Sequence, residues 1–244
     1  MAAQDDNDED INPITMILPD GHNDVGANSL SSIIQEGKQE QQKHFLPSIN
    51  STVVIRQLPS EGIGFQLWPA ATTLVSLLDQ YRCDVAGSTP LSPALSALSN
   101  GSNSRPLCIL ELGSGTGMVG IAAAITLGAN VTVTDLPHVV PNLQFNADAN
   151  ASILAENGGT VYVAPLRWGH AEDVELIGRE FDFILASDVV YHDHLFDPLL
   201  QTLRLLLSDG VGVRVAERKT GVCDGPFEKM EKGVGVFQEG EEAF

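Results

Sequence analysis

One stretch of the sequence, residues 107–135, constrains the fold more than any other. Four consecutive apolar residues open it, as in a strand that is buried on both faces of a parallel sheet. Three glycines follow at alternate positions, and an alanine-rich apolar run then predicts a helix over residues 118–127. Residues 131–134 alternate as a second strand that ends at Asp135. The order of strand, glycine loop, helix and strand predicts an α/β fold with a parallel sheet.

The glycine loop and Asp135 indicate a site for a nucleoside cofactor. Gly113 and Gly115 lack side chains and let a ligand approach the backbone, while the following helix directs its N-terminal amides at the loop. The carboxylate of Asp135 can accept hydrogen bonds from the two hydroxyls of a ribose. The spacing Gly115-x-Gly117-x-x-Gly120 also satisfies the dinucleotide fingerprint, and a tight turn in another α/β fold uses glycines in the same way. These alternatives stay open for this motif alone.

Glu111 favours a cofactor without phosphates. Its carboxylate precedes the first glycine of the loop, so it would lie close to a bound pyrophosphate and repel it. A cofactor that has no phosphates and carries a positive charge suits this position better.

Composition narrows the partners and the compartment. The net charge of −19 over 244 residues argues against binding to a phosphate backbone and favours basic partners, such as lysine-rich protein segments. The three cysteines show no paired spacing, which favours a reducing compartment and argues against a zinc site. The first residues are acidic, unlike a signal peptide, and no apolar run is long enough for a membrane span. We expect a monomeric cytosolic protein, present also in the nucleus, with no nucleic-acid or membrane partner.

Composition also divides the chain into segments. Residues 1–44 are acidic and polar, which predicts disorder. Residues 45–216 form the main domain, which opens with a β-prone run that we interpret as part of an N-terminal hairpin. Within it, residues 83–105 are rich in Ser, Pro and Gly and predict a flexible surface insertion. Residues 217–244 are rich in Gly and Glu and predict a weakly structured tail.

The remaining elements follow from hydrophobic periodicity. One face of a predicted helix carries Asn142, Asn146 and Asn150. Exposure of that face to solvent, or a C-cap at the end of the helix, explains these polar residues. Helices are predicted over residues 69–79, 137–151 and 195–207, and strands over residues 160–164, 181–186 and 211–216.

Polar side chains follow the strand over residues 181–186. Ser187, Asp188 and Tyr191 lie just beyond its carboxyl end, the edge at which open α/β sheets bind ligands. Alternatively, Asp188 caps the N-terminus of a helix and Tyr191 is a half-buried packing residue, and neither binds a ligand. The consecutive residues 192–194, His-Asp-His, direct their side chains apart, so we expect no metal site there.

Several motifs together resemble one family. The run ELGSGTGMVG followed by VTVTD resembles motif I and the acidic second-strand motif of the seven-β-strand methyltransferases, which use S-adenosylmethionine. The phrase LWPAATTLVSLL resembles the tryptophan-proline motif of family 16 of these enzymes. The pair Trp168-Gly169 and the motif DVVY are similar to that family as well, and Asn146 and Asn150 resemble a pair of asparagines that is common in it. The resemblance covers roughly residues 62–216 and extends to the methyltransferase-like 21 protein-lysine methyltransferases.

The resemblance implies a Rossmann-like class I methyltransferase sheet with helices on both faces. It implies transfer of methyl groups from S-adenosylmethionine to a lysine side chain of a protein, with Asp188 and Tyr191 as catalytic residues that orient the amine. Family members continue through a helix and two more strands, whereas residues after 216 diverge, so we expect an incomplete C-terminal part of the sheet. The cofactor contacts that the resemblance implies are Trp68, Glu111, Gly113, Ser114, Gly115, Asp135, Trp168 and Ser187.

Three alternatives remain at this level. The acceptor pocket is the least specified part, so arginine, histidine or a small molecule could replace lysine as acceptor. A noncatalytic scaffold with the methyltransferase fold is the second alternative. The third is a nicotinamide oxidoreductase that uses the glycine fingerprint, against which Glu111 and the lack of hydride-transfer residues count.

Overall fold

The computed structural model describes residues 40–83, 89–101, 105–207, 215–219 and 234–238. The strands are β1 (Glu40–Leu46), β2 (Ser51–Gln57), β3 (Cys108–Leu112), β4 (Asn130–Asp135), β5 (Thr160–Pro165), β6 (Phe183–Ala186), β7 (Val215–Lys219) and β8 (Val234–Gln238). The helices are α1 (Pro69–Cys83), α2 (Ser92–Gly101), α3 (Met118–Leu127), α4 (Val140–Ala149), α5 (Ala151–Glu156), α6 (Ala171–Ile177) and α7 (Phe196–Leu207).

The main sheet is parallel and reverses its direction of growth beside β3. Its order is β5-β4-β3-β6-β7-β8, and every adjacent pair is parallel. The chain moves from β3 outward to β5, returns through β6 beside β3 and then moves outward on the other side. The carboxyl ends of β3 and β6 therefore flank a topological switch point, where open α/β sheets bind ligands.

Helices cover both faces of this sheet, as the sequence predicts. Along β3, Ile109 packs into one apolar cluster with α1 and α3, whereas Leu110 and Leu112 pack into a second cluster with α6 and α7. The alternation follows from the pleat, because successive side chains of a strand point to opposite faces. Burial on both faces explains why this strand consists of apolar residues almost throughout.

The predicted N-terminal hairpin is confirmed. Strands β1 and β2 pair in antiparallel register from Glu40 opposite Gln57 to Leu46 opposite Ser51. Buried side chains of Leu46 and Val53 join the apolar cluster of α1 and α3, so the hairpin packs on the main domain. Strand β1 begins inside the segment that we expected to be disordered, and the rest of that segment, residues 1–39, lies outside the described residues.

Part of the segment that we expected to be a flexible insertion is helical. Helix α2 (Ser92–Gly101) lies within it, and Leu91, just before the helix, and Leu95 are buried to 1% and 0% exposure. The two leucines are four positions apart, and the Leu95 N–H donates to the carbonyl oxygen of Leu91, so both side chains lie on the same side of this first turn. This helix was not predicted from the sequence, because the two core residues lie among serines and prolines. Residues 84–88 and 102–104 lie outside the described part.

Four other elements differ in detail from the sequence prediction. The helix expected over residues 137–151 divides at Asn150 into α4 and α5, and α6 was not predicted. Strand β7 begins four residues later than the predicted strand over residues 211–216, and β8 lies within the segment that we expected to be a weakly structured tail. No helix among the described ranges has the length and apolar character that crossing a membrane requires.

Replacement of Leu95 by alanine tests the burial of α2. We expect the free energy of unfolding to fall by about 2–5 kcal/mol, because the truncated side chain leaves a cavity in the core. Urea unfolding followed by circular dichroism measures this change. The exposed neighbour Ser96 supplies the control, since Ser96→Ala should shift the value by less than about 0.5 kcal/mol. Equal unfolding curves for the two variants would contradict the packing of α2.

Candidate functional site

The candidate site lies where β3, β4 and β6 end. The glycine loop follows β3, Asp135 is the last residue of β4, and the segment that begins at Ser187 follows β6. A Cβ atom added to Gly113 would lie 3.0 Å from Val189 Cγ1 and 3.1 Å from Trp168 Cζ2. The structure thus brings the glycine loop, the loop after β5 and the loop after β6 into contact.

The glycine loop has a backbone conformation that favours glycine. Gly113, Gly115 and Gly117 have φ angles of +62°, +54° and +81°, in the left-handed region that other residues adopt at a cost. Hydrogen bonds tie the loop to β4: Ser114 N–H donates to Thr134 O at 2.9 Å, and Thr134 N–H donates to Ser114 Oγ at 3.0 Å. The loop and the end of β4 therefore form one unit.

Asp135 holds the glycine loop through its carboxylate. Oδ2 accepts the Gly115 N–H at 2.7 Å, and Oδ1 accepts the N–H of Leu136 at 2.7 Å. Burial raises the pKa of Asp135, and these two hydrogen bonds oppose that rise. Each carboxylate oxygen has a further lone pair, so the two bonds leave acceptor capacity for ligand hydroxyls.

Glu111 contacts the start of α3. Its side chain is buried, and Oε2 accepts the Gly120 N–H, a first-turn amide of α3, at 3.0 Å. Burial raises the pKa of Glu111 to about 8, while hydrogen bonds from Ser114 and Gly120 lower it and the charge of Asp135 raises it. A Cβ atom on Gly120 would lie 2.5 Å from Oε2. In this structure the third glycine of the fingerprint thus allows Glu111 to approach the helix.

The segment before α1 forms another side of the site. The Trp68 indole is half-buried, and its Nε1–H donates to Ile63 O at 3.1 Å. A Cβ atom on Gly115 would lie 3.3 Å from the carbonyl oxygen of Gly64. The backbone just before Trp68 therefore packs against the glycine loop.

The loop after β6 carries the residues expected on the acceptor side. Asp188 is half-buried and has a φ of +61°, a left-handed conformation that is uncommon for residues other than glycine and tends to occur at functional sites. Val189 is buried against Gly113, whereas Tyr191 is 50% exposed. The left-handed turn and the buried valine place this loop beside the glycine loop.

The histidines after Tyr191 form an aromatic stack. The His192 and His194 rings are 5.3 Å apart and nearly parallel, and the Tyr191 ring lies 4.8 Å from His192. In the part of the chain that the structure describes, no three His, Cys, Asp or Glu side chains are grouped in a way that could hold a metal ion.

Comparison with known proteins decides the family. A model of the lysine methyltransferase family matches residues 47–232. The chain belongs to the lysine methyltransferase family. This match confirms the resemblance drawn from the glycine loop, the tryptophan-proline motif and the motif after β6.

Curated relatives of this lysine methyltransferase family member carry related names. Protein-lysine N-methyltransferase rrg1 of Schizosaccharomyces pombe is 30% identical over 82% of this chain and 60% of its own length. EEF1A lysine methyltransferase 3 of Xenopus tropicalis is 29% identical over 76% of this chain and 71% of its own length. Protein N-lysine methyltransferase METTL21A of Danio rerio is 36% identical over 60% of this chain. The chain spans 57–60% of the length of the fission-yeast and zebrafish relatives.

Sequence reasoning did not find the role of the three asparagines. They are buried, at 0–2% exposure, so the interpretation as a solvated helix face is wrong. The C-cap interpretation holds for Asn150, which follows the last residue of α4. Their side chains bond to the backbone of β2, about ninety residues earlier in the chain. The signal in the sequence was their spacing of four residues, which aligns polar side chains along one helical face.

Glu111 should make the stability of the family member depend on pH. Because its pKa is raised in the folded state, the native protein binds a proton that the unfolded chain releases between about pH 4.3 and 8. The free energy of unfolding should therefore fall with rising pH in this window, by up to about 1.4 kcal/mol per pH unit from this group. Urea unfolding from pH 5 to 8 measures the dependence.

The matched variants are Glu111→Gln and Glu156→Gln. The first removes the buried carboxylate and should flatten the fall in stability relative to the wild type. The second changes an exposed carboxylate and should leave the dependence on pH unchanged. Parallel curves for Glu111→Gln and the wild type would show that burial of Glu111 does not control this dependence.

Proposed function

We propose that this chain is an S-adenosylmethionine-dependent protein-lysine N-methyltransferase. The observation that carries the proposal is the contact between two loops at the switch point. The glycine loop, held by Asp135, lies against the loop of Asp188 and Tyr191 through Gly113 and Val189. A cofactor cradle and an acceptor loop are thereby adjacent in a member of the lysine methyltransferase family.

The chemistry of the cradle supports S-adenosylmethionine as cofactor. Asp135 retains acceptor capacity for ribose hydroxyls, and the half-buried Trp168 ring beside Gly113 offers a flat apolar face for a purine. Glu111 lies behind the loop, and a bound cationic cofactor would favour the charged form of this buried carboxyl group, because a nearby opposite charge lowers its pKa. The bound cofactor would supply a methyl group made electrophilic by a sulfonium. We further propose cofactor contacts by Trp68, Gly113, Ser114, Gly115 and Ser187.

On the acceptor side, Asp188 and Tyr191 would orient a lysine amine. A free lysine titrates near ~10.4 and is mostly protonated, so the site must favour the neutral amine before attack. The Asp188 carboxylate can hold the ammonium by charge and accept its proton. Asp188 and Tyr191 would thus present the neutral amine in line with the methyl group that a bound cofactor would supply.

Charge and relatives support a protein substrate. A net charge of −19 attracts a basic segment and would repel a nucleic acid. One relative is named as a lysine methyltransferase of EEF1A, and others are named as protein-lysine methyltransferases. We propose that this chain acts as a monomer in the cytoplasm, and also in the nucleus, on a lysine within a basic protein segment.

Calorimetric titration tests the cofactor site. The wild-type chain should bind S-adenosylmethionine, and Asp135→Asn should weaken binding at least about tenfold, because a charged acceptor for ribose hydroxyls is lost. Asp148→Asn changes an exposed carboxylate on α4 and serves as the control. Binding of NAD in place of S-adenosylmethionine would overturn the methyltransferase proposal.

Replacement of Asp188 by asparagine tests the acceptor side. Asparagine tolerates a left-handed backbone as well as aspartate does, so the turn should persist while the negative charge is lost. We expect unchanged affinity for S-adenosylmethionine and a fall of about 100-fold or more in methyl transfer to proteins of a lysate.

Transfer of a labelled methyl group, with mass spectrometry of the products, measures this effect. The exposed Asp193 supplies the control variant, Asp193→Asn, which should retain wild-type transfer. Label on arginine or histidine would assign another acceptor class. Cofactor binding without transfer by the wild type would identify a noncatalytic scaffold.

A further inference from the structure

Three buried asparagines form a polar row between α4 and the hairpin. Asn142, Asn146 and Asn150 are at most 2% exposed and are spaced four residues apart. That spacing places them on one side of the helix, and the side chains meet the edge of β2 that does not pair with β1. An unpaired strand edge needs partners for its backbone groups when it is buried.

Two of these asparagines bond to β2 as a neighbouring strand would. Asn150 Oδ1 accepts the Val54 N–H at 3.0 Å, and its Nδ2–H donates to Val54 O at 2.8 Å. Asn146 Oδ1 accepts the Arg56 N–H at 2.8 Å, and its Nδ2–H donates to Arg56 O at 3.1 Å. Each side-chain amide thus satisfies both the donor and the acceptor of one strand residue.

Asn146 has a further bond that Asn150 lacks. Its Nδ2 also donates to Thr116 O at 2.9 Å, within the glycine loop. An amide NH₂ group has two hydrogens, so the hairpin and the glycine loop use both donors of Asn146. Asn150 directs its second donor to Asn146 O in α4 instead. Asn146 alone of this pair therefore connects the hairpin to the candidate cofactor loop.

The hairpin also holds the segment that carries Trp68. Gln57, the last residue of β2, accepts the Leu67 N–H at 2.6 Å through Oε1 and donates to Gln42 Oε1 at 3.0 Å through Nε2. The backbone before Trp68 packs against Gly115. The hairpin is thus bonded to two sides of the candidate cofactor site, the glycine loop and the segment before α1.

We propose that Asn146 is a positioning residue that couples docking of the β1–β2 hairpin to the affinity for S-adenosylmethionine. The inference rests on the proposed function and adds a regulatory contact to the same site. One amide bonds to both the hairpin and the carbonyl of Thr116, so displacement of the hairpin removes the two bonds to Arg56 that orient this amide towards the glycine loop. By linkage, a cofactor that orders the loop stabilises the docked hairpin by the same factor.

The variants Asn146→Ala and Asn150→Ala separate coupling from general loss of hairpin contacts. Each variant removes one pair of hydrogen bonds to β2, but Asn146→Ala alone also removes the bond to Thr116. Calorimetry should show affinity for S-adenosylmethionine at least tenfold weaker in Asn146→Ala and at most threefold weaker in Asn150→Ala. Hydrogen exchange without cofactor should be faster at the amides of Ser114, Gly115 and Gly117 in Asn146→Ala alone.

A measurement on the wild-type chain remains decisive if Asn146→Ala does not fold. Saturating S-adenosylmethionine should slow hydrogen exchange at the Val54 and Arg56 amides more than at residues 76–83 of α1. An equal change in both regions would overturn the coupling, as would equal affinities of the two alanine variants.

The same data distinguish this inference from the proposed function. A wild-type chain that binds no S-adenosylmethionine would overturn the proposed function and the coupling with it. Normal binding by the wild type, with unchanged affinity in Asn146→Ala, would overturn the coupling alone.

Discussion

The candidate site depends on the turn from β3 into α3, where the backbone N–H groups of the glycine loop and of the first turn of α3 need hydrogen-bond acceptors. The first amides of a helix have no partner within the helix, and the glycine loop before α3 exposes further backbone donors. Carboxylates from two adjacent strands accept them: Glu111 of β3 bonds to Gly120, and Asp135 of β4 bonds to Gly115. Strand ends, loop and helix start thereby become one rigid unit.

The sheet order places the other loops of the candidate site around that unit. Because β6 returns to lie beside β3, the loop of Asp188 starts next to the glycine loop and not at a distant edge. Apolar layers on both faces fix the strands, so the loops at their carboxyl ends are held by the core. The hairpin adds a third side through Asn146 and Gln57. The site therefore draws on segments far apart in sequence.

The sequence predicted those features that local patterns encode. Strand β3, the glycine loop, α3 and Asp135 occur within thirty residues, and their order is visible directly. The sequence did not predict features that depend on distant contacts. The partner of Asn146 lies ninety residues away, and the burial of Leu95 depends on a core that its Ser-rich surroundings do not suggest. Glu111 was recognised by position, but its bond to Gly120 needs the three-dimensional turn.

The left-handed backbone at Asp188 limits which amino acids can replace this residue. Few residues other than glycine, asparagine and aspartate accept a φ of +61° without strain, and among these aspartate alone carries charge. Any exchange at this position therefore alters the backbone or the electrostatics of the proposed acceptor loop. Redesign for an acceptor other than the proposed lysine would accordingly begin at exposed neighbours, such as Tyr191 and His194, and leave the turn itself unchanged.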